Sequence, residues 1–258
     1  MGRYDKIKVY NGTEFVQPSR IRIFDGAAWQ DLGANDSDIQ TPLNVHNGTD
    51  FVRATLNKTQ VTVPGESYAA GDGFTVLPEA GFCFCPNSGS LTNATWHFEA
   101  TMRKTSDSAL NIFNVSITSG SYKGGYIKAV WNANGTVTVS GMLKSGSTVY
   151  SVTTSNAVKK DNWVKFIVDC AKGSSNVNVT LGSTKVTKAF SFNFQSSYVT
   201  NTVGATGMHF KETLKMQGTK YSNSTTTKTI NMTTASGTTS DYKSVEHVNT
   251  TKTETQWL

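Results

Sequence analysis

Apolar and polar positions alternate with a period of two along most of this chain, and no segment sustains a helical period. In Trp96-His97-Phe98-Glu99-Ala100-Thr101-Met102-Arg103, the apolar face is Trp96, Phe98, Ala100 and Met102. Asn162 to Cys170 carries the strongest strand pattern, with Val164, Phe166, Val168 and Cys170 on one side. Leu110 to Ile117 is a further strand whose apolar register shifts between Phe113 and Val115, which predicts a bulge there. Tyr126 to Trp131 and Thr136 to Val139 flank Asn132-Ala133-Asn134-Gly135 and predict a hairpin. Val177, Val179 and Leu181 follow a Gly-Ser-Ser turn, Phe190, Phe192 and Phe194 form another alternating face, and Gly204 to Met216 closes the set. Strands of this number, separated by turns, predict an antiparallel β-sandwich over residues 60–217.

The first 59 residues carry a different pattern, a short repeat. Ile7-Lys8-Val9-Tyr10-Asn11-Gly12-Thr13-Glu14-Phe15, Ile21-Arg22-Ile23-Phe24-Asp25-Gly26-Ala27-Ala28-Trp29 and Leu43-Asn44-Val45-His46-Asn47-Gly48-Thr49-Asp50-Phe51 align column by column. Asn-Gly and Asp-Gly accept the positive φ of a type I′ turn, so each copy predicts a small β-hairpin. An isolated hairpin is marginal in water. A row of them needs a larger partner surface, which points to an assembly component with Phe15, Trp29 and Phe51 as docking anchors.

Residues 218–258 are Thr-rich, with few apolar residues before Trp257-Leu258, and predict an extended segment. Two placements are open. The alternating Thr229-Ile230-Asn231-Met232-Thr233 can add a strand to a neighbouring subunit's sheet edge, with Trp257 as a terminal anchor. Alternatively, the segment folds back on its own domain.

Composition narrows the function classes. Only 16% of the 258 residues are charged, and polarity comes from Thr, Ser, Asn and Gly, which favours strands and turns. The net charge is +6, but the basic residues are scattered, with no run beyond Lys159-Lys160. A nucleic-acid partner would need clustering on one face, so none is expected. A mildly basic surface does suit contact with an acidic cell wall or capsid. The odd count of Cys83, Cys85 and Cys170 argues against a disulfide framework and for buried thiols. No apolar stretch approaches membrane-spanning length. Met1 to Lys6 precedes no apolar signal region, so no secretion is expected. The Asn-x-Ser/Thr triplets then follow from composition alone.

The strand Trp96 to Arg103, the strand Asn162 to Cys170 with its Gly-Ser turn and Val177 to Leu181, and the late strand Gly204-Ala205-Thr206-Gly207-Met208-His209-Phe210 together resemble a concanavalin A-like (laminin G-like) jelly roll. The N-terminal Val-Tyr-Asn-Gly-Thr-x-Phe-Val and Ile-Phe-Asp-Gly-x-x-Trp-x-Asp-Leu copies look like the start of many tailed-phage virion proteins, where such segments attach a module to a head, tail or baseplate. The combined resemblance implies a phage structural or adhesive protein: a head decoration, fibre, tail or baseplate component that displays a lectin-like domain. Implied with it are other virion proteins as partners through the hairpins and tail, a homo-oligomeric assembly, and a virion location after synthesis in the bacterial cytoplasm.

Candidate chemistry is sparse. The acids Asp72, Asp107 and Asp161 fall in turns, and Glu99 shares a solvent face with His97 and Thr101. Jelly-roll glycosidases resembling this fold carry paired glutamates in a Glu-x-Asp-x-x-Glu type run, and no such run exists here, so no catalytic residue is expected. His46, His97, His209 and His247 form no metal or triad motif, and Asp107, Asp161 and Asp169 assemble no calcium cluster, so no metal or cofactor is expected. Sugar binding uses an aromatic platform beside amides and hydroxyls, which Tyr122, Tyr126, Trp131 and Asn132 supply in one hairpin region. Tyr126 and Trp131 fall on opposite strand faces, so only one group is free and the other is core. The expectation is therefore a non-enzymatic virion protein for host-surface glycan adhesion. A free carbohydrate-binding protein is the alternative, followed by a polysaccharide depolymerase.

Overall fold

The computed structural model describes residues 58–77, 96–171, 174–190, 199–219 and 225–257, with short strand segments within 9–54. All described regular structure is β. In chain order the strands are β1 (Val9–Tyr10), β2 (Phe15–Val16), β3 (Arg22–Phe24), β4 (Trp29–Asp31), β5 (Leu43–His46), β6 (Phe51–Ala54), β7 (Lys58–Gly71), β8 (Phe74–Val76), β9 (Trp96–Lys104), β10 (Leu110–Ile117) and β11 (Tyr126–Trp131). They continue as β12 (Val137–Met142), β13 (Val149–Thr153), β14 (Val164–Cys170), β15 (Asn176–Leu181), β16 (Thr184–Ala189), β17 (Val199–Val203), β18 (Met208–Thr219), β19 (Thr225–Asn231), β20 (Tyr242–Lys243) and β21 (Glu246–Trp257).

Two antiparallel sheets make the sandwich. One has seven strands in the order β13-β12-β11-β10-β17-β8-β20. The other has eight, in the order β16-β15-β14-β9-β18-β7-β21, with β19 also paired to β18. The alternation dictates which side chains turn inward. Trp96, Phe98, Ala100 and Met102 of β9 and Val164, Phe166, Val168 and Cys170 of β14 are buried from one sheet. Ile127, Ala129 and Trp131 of β11 and Val137 and Val139 of β12 are buried from the other. Phe98 joins the layers, with its ring centroid 4.7 Å from Phe113 of the opposite sheet and 6.0 Å from Phe166 of its own. Such aromatic pairs add about 0.5–1.5 kcal/mol beyond area burial.

The β10 bulge sits two residues earlier than its sequence suggests. Pairing with β11 shifts between Asn111 and Phe113, and Ile112 and Phe113 are both buried. Ile112 is the extra residue, and it lets two neighbouring apolar side chains share the core.

The polar C-terminal segment folds back on its own domain. Thr229, Ile230 and Asn231 pair with Lys215, Leu214 and Thr213 of the same chain. Ile230, Met232, Ala235, Tyr242 and Val245 are buried in the core. A few apolar side chains at suitable intervals suffice to anchor an otherwise Thr-rich strand. The chain forms two compact units, Pro64–Thr251 and a second made of Met1–Val63 with Lys252–Leu258.

In the second unit, β1-β2, β3-β4 and β5-β6 are three separate two-stranded sheets. Their pairs nearest the turn are Tyr10↔Phe15, Phe24↔Trp29 and His46↔Phe51. Four residues separate the partners in each of these pairs. The repeat thus pairs its aromatic column with the position before Asn or Asp. The turn types and the side chains of Phe15, Trp29, Phe51 and Trp257 lie outside the described residues, as do Cys83, Cys85, Phe192 and Phe194.

Candidate functional site

The outward residues of the seven-stranded sheet line up in rows, because each strand pair holds a fixed register. One row runs Lys243, Thr75, Thr202, Asn114, Lys128, Ser140 and Ser151 across all seven strands. The next runs Thr200, Ser116, Tyr126, Met142 and Val149. Between β10 and β11 these rows open into a cavity of about 290 Å³ lined by Asn111, Asn114, Ser116, Gly124, Gly125, Tyr126 and Lys128.

Glycine is required at the groove wall. Gly124 has φ +79°, and a Cβ there would stand 2.9 Å from the Ser145 Cβ. A Cβ on Gly125 would collide with the Leu143 carbonyl oxygen. The backbone can approach the β12–β13 connection only because both side chains are absent.

The groove's polar groups are unspent. Among the described residues, the side-chain amides of Asn111 and Asn114 and the Ser116 hydroxyl make no hydrogen bond to the chain. The Lys128 ammonium lies 5.2 Å from the centroid of the Tyr126 ring and has no carboxylate partner among them. One aromatic ring, two amides, a hydroxyl and an ammonium therefore converge on one half-exposed hollow. That set can stack on the apolar face of a pyranose and hydrogen-bond its hydroxyls.

The four residues expected to contact a glycan separate here. Tyr126 lines the groove. Tyr122 is half-buried and packs on the core beside it. Trp131 is fully buried, and its indole N–H donates to the Gly135 carbonyl at 3.1 Å, so it is a core residue and meets no ligand. Asn132 is spent on the turn, where its amide donates to the Thr136 and Thr138 hydroxyls at 2.9 Å each. The Asn132 carbonyl accepts from Lys104 Nζ at 2.7 Å. Lys104 is itself 2% exposed, and burial pushes its ammonium pKa down.

Asn111, Asn114, Ser116 and Lys128 were not singled out from sequence. A signal for them exists: from residue 108 to residue 160 the chain contains no Asp or Glu. Indeed, no strand of the seven-stranded sheet contains a carboxylate.

The outer face of the eight-stranded sheet holds a second cluster. The Arg103 guanidinium lies 5.1 Å from the Tyr68 ring centroid and 4.6 Å from that of Trp163. It donates to Glu66 at 2.8 Å and to His209 Nδ1 at 3.2 Å. Tyr68 stacks on His209 at 4.4 Å, and the Trp163 indole N–H donates to Glu66 at 2.9 Å. The Trp163 hydrogen bond and Arg103 hold the Glu66 carboxyl below its ordinary pKa. Burial, helped by the Arg103 charge, holds the His209 imidazole below its own. Further along, Glu99 is bound by Lys165 at 2.5 Å and His97 at 3.1 Å, and the Lys165 and His97 hydrogen bonds lower its pKa. A carboxylate held ionised in this way is a poor general acid. Among the described residues no three His, Cys, Asp or Glu side chains cluster to hold a metal ion.

No known family profile matches the chain, and no curated protein matches it. Solved structures do align with it. The CBM40 module of Ruminococcus gnavus IT-sialidase, bound to α2,3-sialyllactose, aligns at 11% identity with TM-score 0.40, covering 58% of this chain and 89% of that one. A SAP-like pentraxin from Limulus polyphemus aligns at 8% identity with TM-score 0.41, covering 58% of this chain and 74% of that one. A galectin from Caenorhabditis elegans aligns at 12% identity with TM-score 0.33, covering 52% and 89%.

Proposed function

We propose that this protein is a non-enzymatic glycan-binding structural protein, and that its N-terminal hairpins attach the sandwich to a larger assembly. The carrying observation is the groove between β10 and β11, where Tyr126 meets hydrogen-bonding groups that the fold leaves unused. Tyr126→Ala removes the stacking platform while leaving the core intact. Binding on a glycan array is expected to fall at least about tenfold, the effect of losing roughly 1.4 kcal/mol of contact. Unchanged binding by that variant would sink the groove as the site.

The assembly we propose is a tailed-phage virion, with host-surface glycans as the ligand. Three short hairpins of identical pairing support the attachment role, since an isolated two-stranded hairpin is marginal in water. A free carbohydrate-binding protein would use the same groove but has no need of such a row. Trp29→Ala is expected to abolish incorporation into particles while residues 64–251 stay folded. Particles that carry the variant at normal copy number would remove the docking role.

A further inference from the structure

We infer that the β10–β11 groove selects acidic polysaccharides, with the Lys128 ammonium as the contact for a sugar carboxylate or sulfate. The inference rests on the reading of this groove as a glycan site and narrows its ligand class. Lys128 stands at the centre of an outward row, flanked in register by Asn114 on β10 and Ser140 on β12. Lys128 is a half-buried residue whose ammonium lies 5.2 Å from the Tyr126 ring centroid and has no ion-pair partner among the described residues. On the opposite sheet two of the strand cations do have a carboxylate beside them, Lys165 with Glu99 and Arg103 with Glu66.

On the seven-stranded sheet that partner is missing by composition. No strand of this sheet contains Asp or Glu, and none occurs between residues 108 and 160. Five lysines do: Lys123, Lys128, Lys144, Lys159 and Lys160. Lys160 is paired with Asp107 at 2.7 Å, so of these five it is Lys128 that brings a positive charge into the groove lining, with no carboxylate among the lining residues. A neutral sugar would cover Lys128 and partly desolvate its charge without compensation, whereas an anionic sugar supplies the missing partner. The neighbouring unpaired amides of Asn111 and Asn114 then donate to the same anionic group or to ring hydroxyls.

The test uses the full chain on an array carrying alginate, polygalacturonate, heparin and chondroitin sulfate beside neutral dextran, galactan and mannan. The wild-type chain is expected to bind at least one acidic polymer, to lose about tenfold in affinity as Lys128→Gln, and to keep it as Lys128→Arg. Raising sodium chloride is expected to weaken the acidic hit without help from any variant. Carboxylated against sulfated polymers distinguish the two sources of anion. Binding confined to neutral polymers, or acidic binding indifferent to both salt and Lys128→Gln, overturns this inference and leaves glycan binding standing. Binding to no polymer overturns the glycan reading itself.

Discussion

The two outer faces of the sandwich come from the same alternation and do opposite things with it. Around Arg103, Glu99 and Asp169 on the eight-stranded sheet the outward polar groups answer one another. Arg103 is shared among Glu66, Tyr68, Trp163 and His209, Glu99 is held by Lys165 and His97, and the Asn178 amide donates to Asp169 at 3.0 Å. On the seven-stranded sheet the amides of Asn111 and Asn114 make no hydrogen bond to the described residues, and the Lys128 ammonium has the Tyr126 ring but no carboxylate beside it. A polar face that satisfies itself is part of the fold, whereas one that does not is available to a ligand.

The comparison predicts that stability and binding separate by face. The largest effect is expected for Arg103→Ala, which strips a cation from two aromatic rings and leaves Glu66 and His209 without their shared donor. It should cost about 2 kcal/mol in denaturant unfolding. Glycan affinity per folded molecule should not change. A loss of affinity at unchanged stability would reverse the assignment of the faces.

Next in size is Tyr126→Ala, which should lower unfolding stability by less than about 0.5 kcal/mol, as expected for an outward residue. The same variant should lose glycan binding. A large fall in melting temperature would show that Tyr126 serves the fold instead.

A smaller effect is expected with pH. His209 is held below the ordinary histidine pKa, so the unfolded chain binds its proton first on acidification. Its contribution is full above about pH 6.5 and declines as pH falls below that value. Glu66, also depressed, contributes above the ordinary glutamate range and loses that contribution at lower pH still. His209→Gln should flatten the first decline and leave the second. An unaltered pH profile would remove the imidazole from the account.

The smallest effect is expected for Lys243→Ala. Lys243 shares the Lys128 row but lies four strands away, about 19 Å at ordinary strand spacing. Long acidic chains should lose about twofold to threefold in affinity, consistent with one exposed charge contact, and short ones nothing. Equal losses for both lengths would place Lys243 in the groove's own ligand contacts.

The sequence makes the framework readable because core strands must bury every second residue. Trp96 to Met102 and Val164 to Cys170 show that period without help from neighbours, and both strands form as expected. The groove is harder to see. Asn114, Ser116 and Lys128 read as an ordinary solvated strand face until the register of β10 on β11 brings them together. That register depends on the Ile112 bulge, whose place is fixed by which two apolar neighbours the core can accept. The Arg103 stack joins β7, β9, β18 and Trp163, the residue before β14, and adjacency across strands leaves no local trace. Trp131 and Asn132 have the residue types for a sugar site, yet core packing and a turn claim them first. The C-terminal segment misleads for the opposite reason, since average polarity hides the few side chains that anchor it.

The central claim is that the seven-stranded face is the binding face. Backbone amide shift mapping of the isotope-labelled chain, titrated with the polymer that scores on the array, tests it most directly. The account predicts shifts concentrated in residues 110–117 and 126–131, with residues 97–103, 163–170 and 208–211 unmoved. Shifts centred on Arg103, Trp163 and His209, with Tyr126 and Lys128 silent, would contradict it.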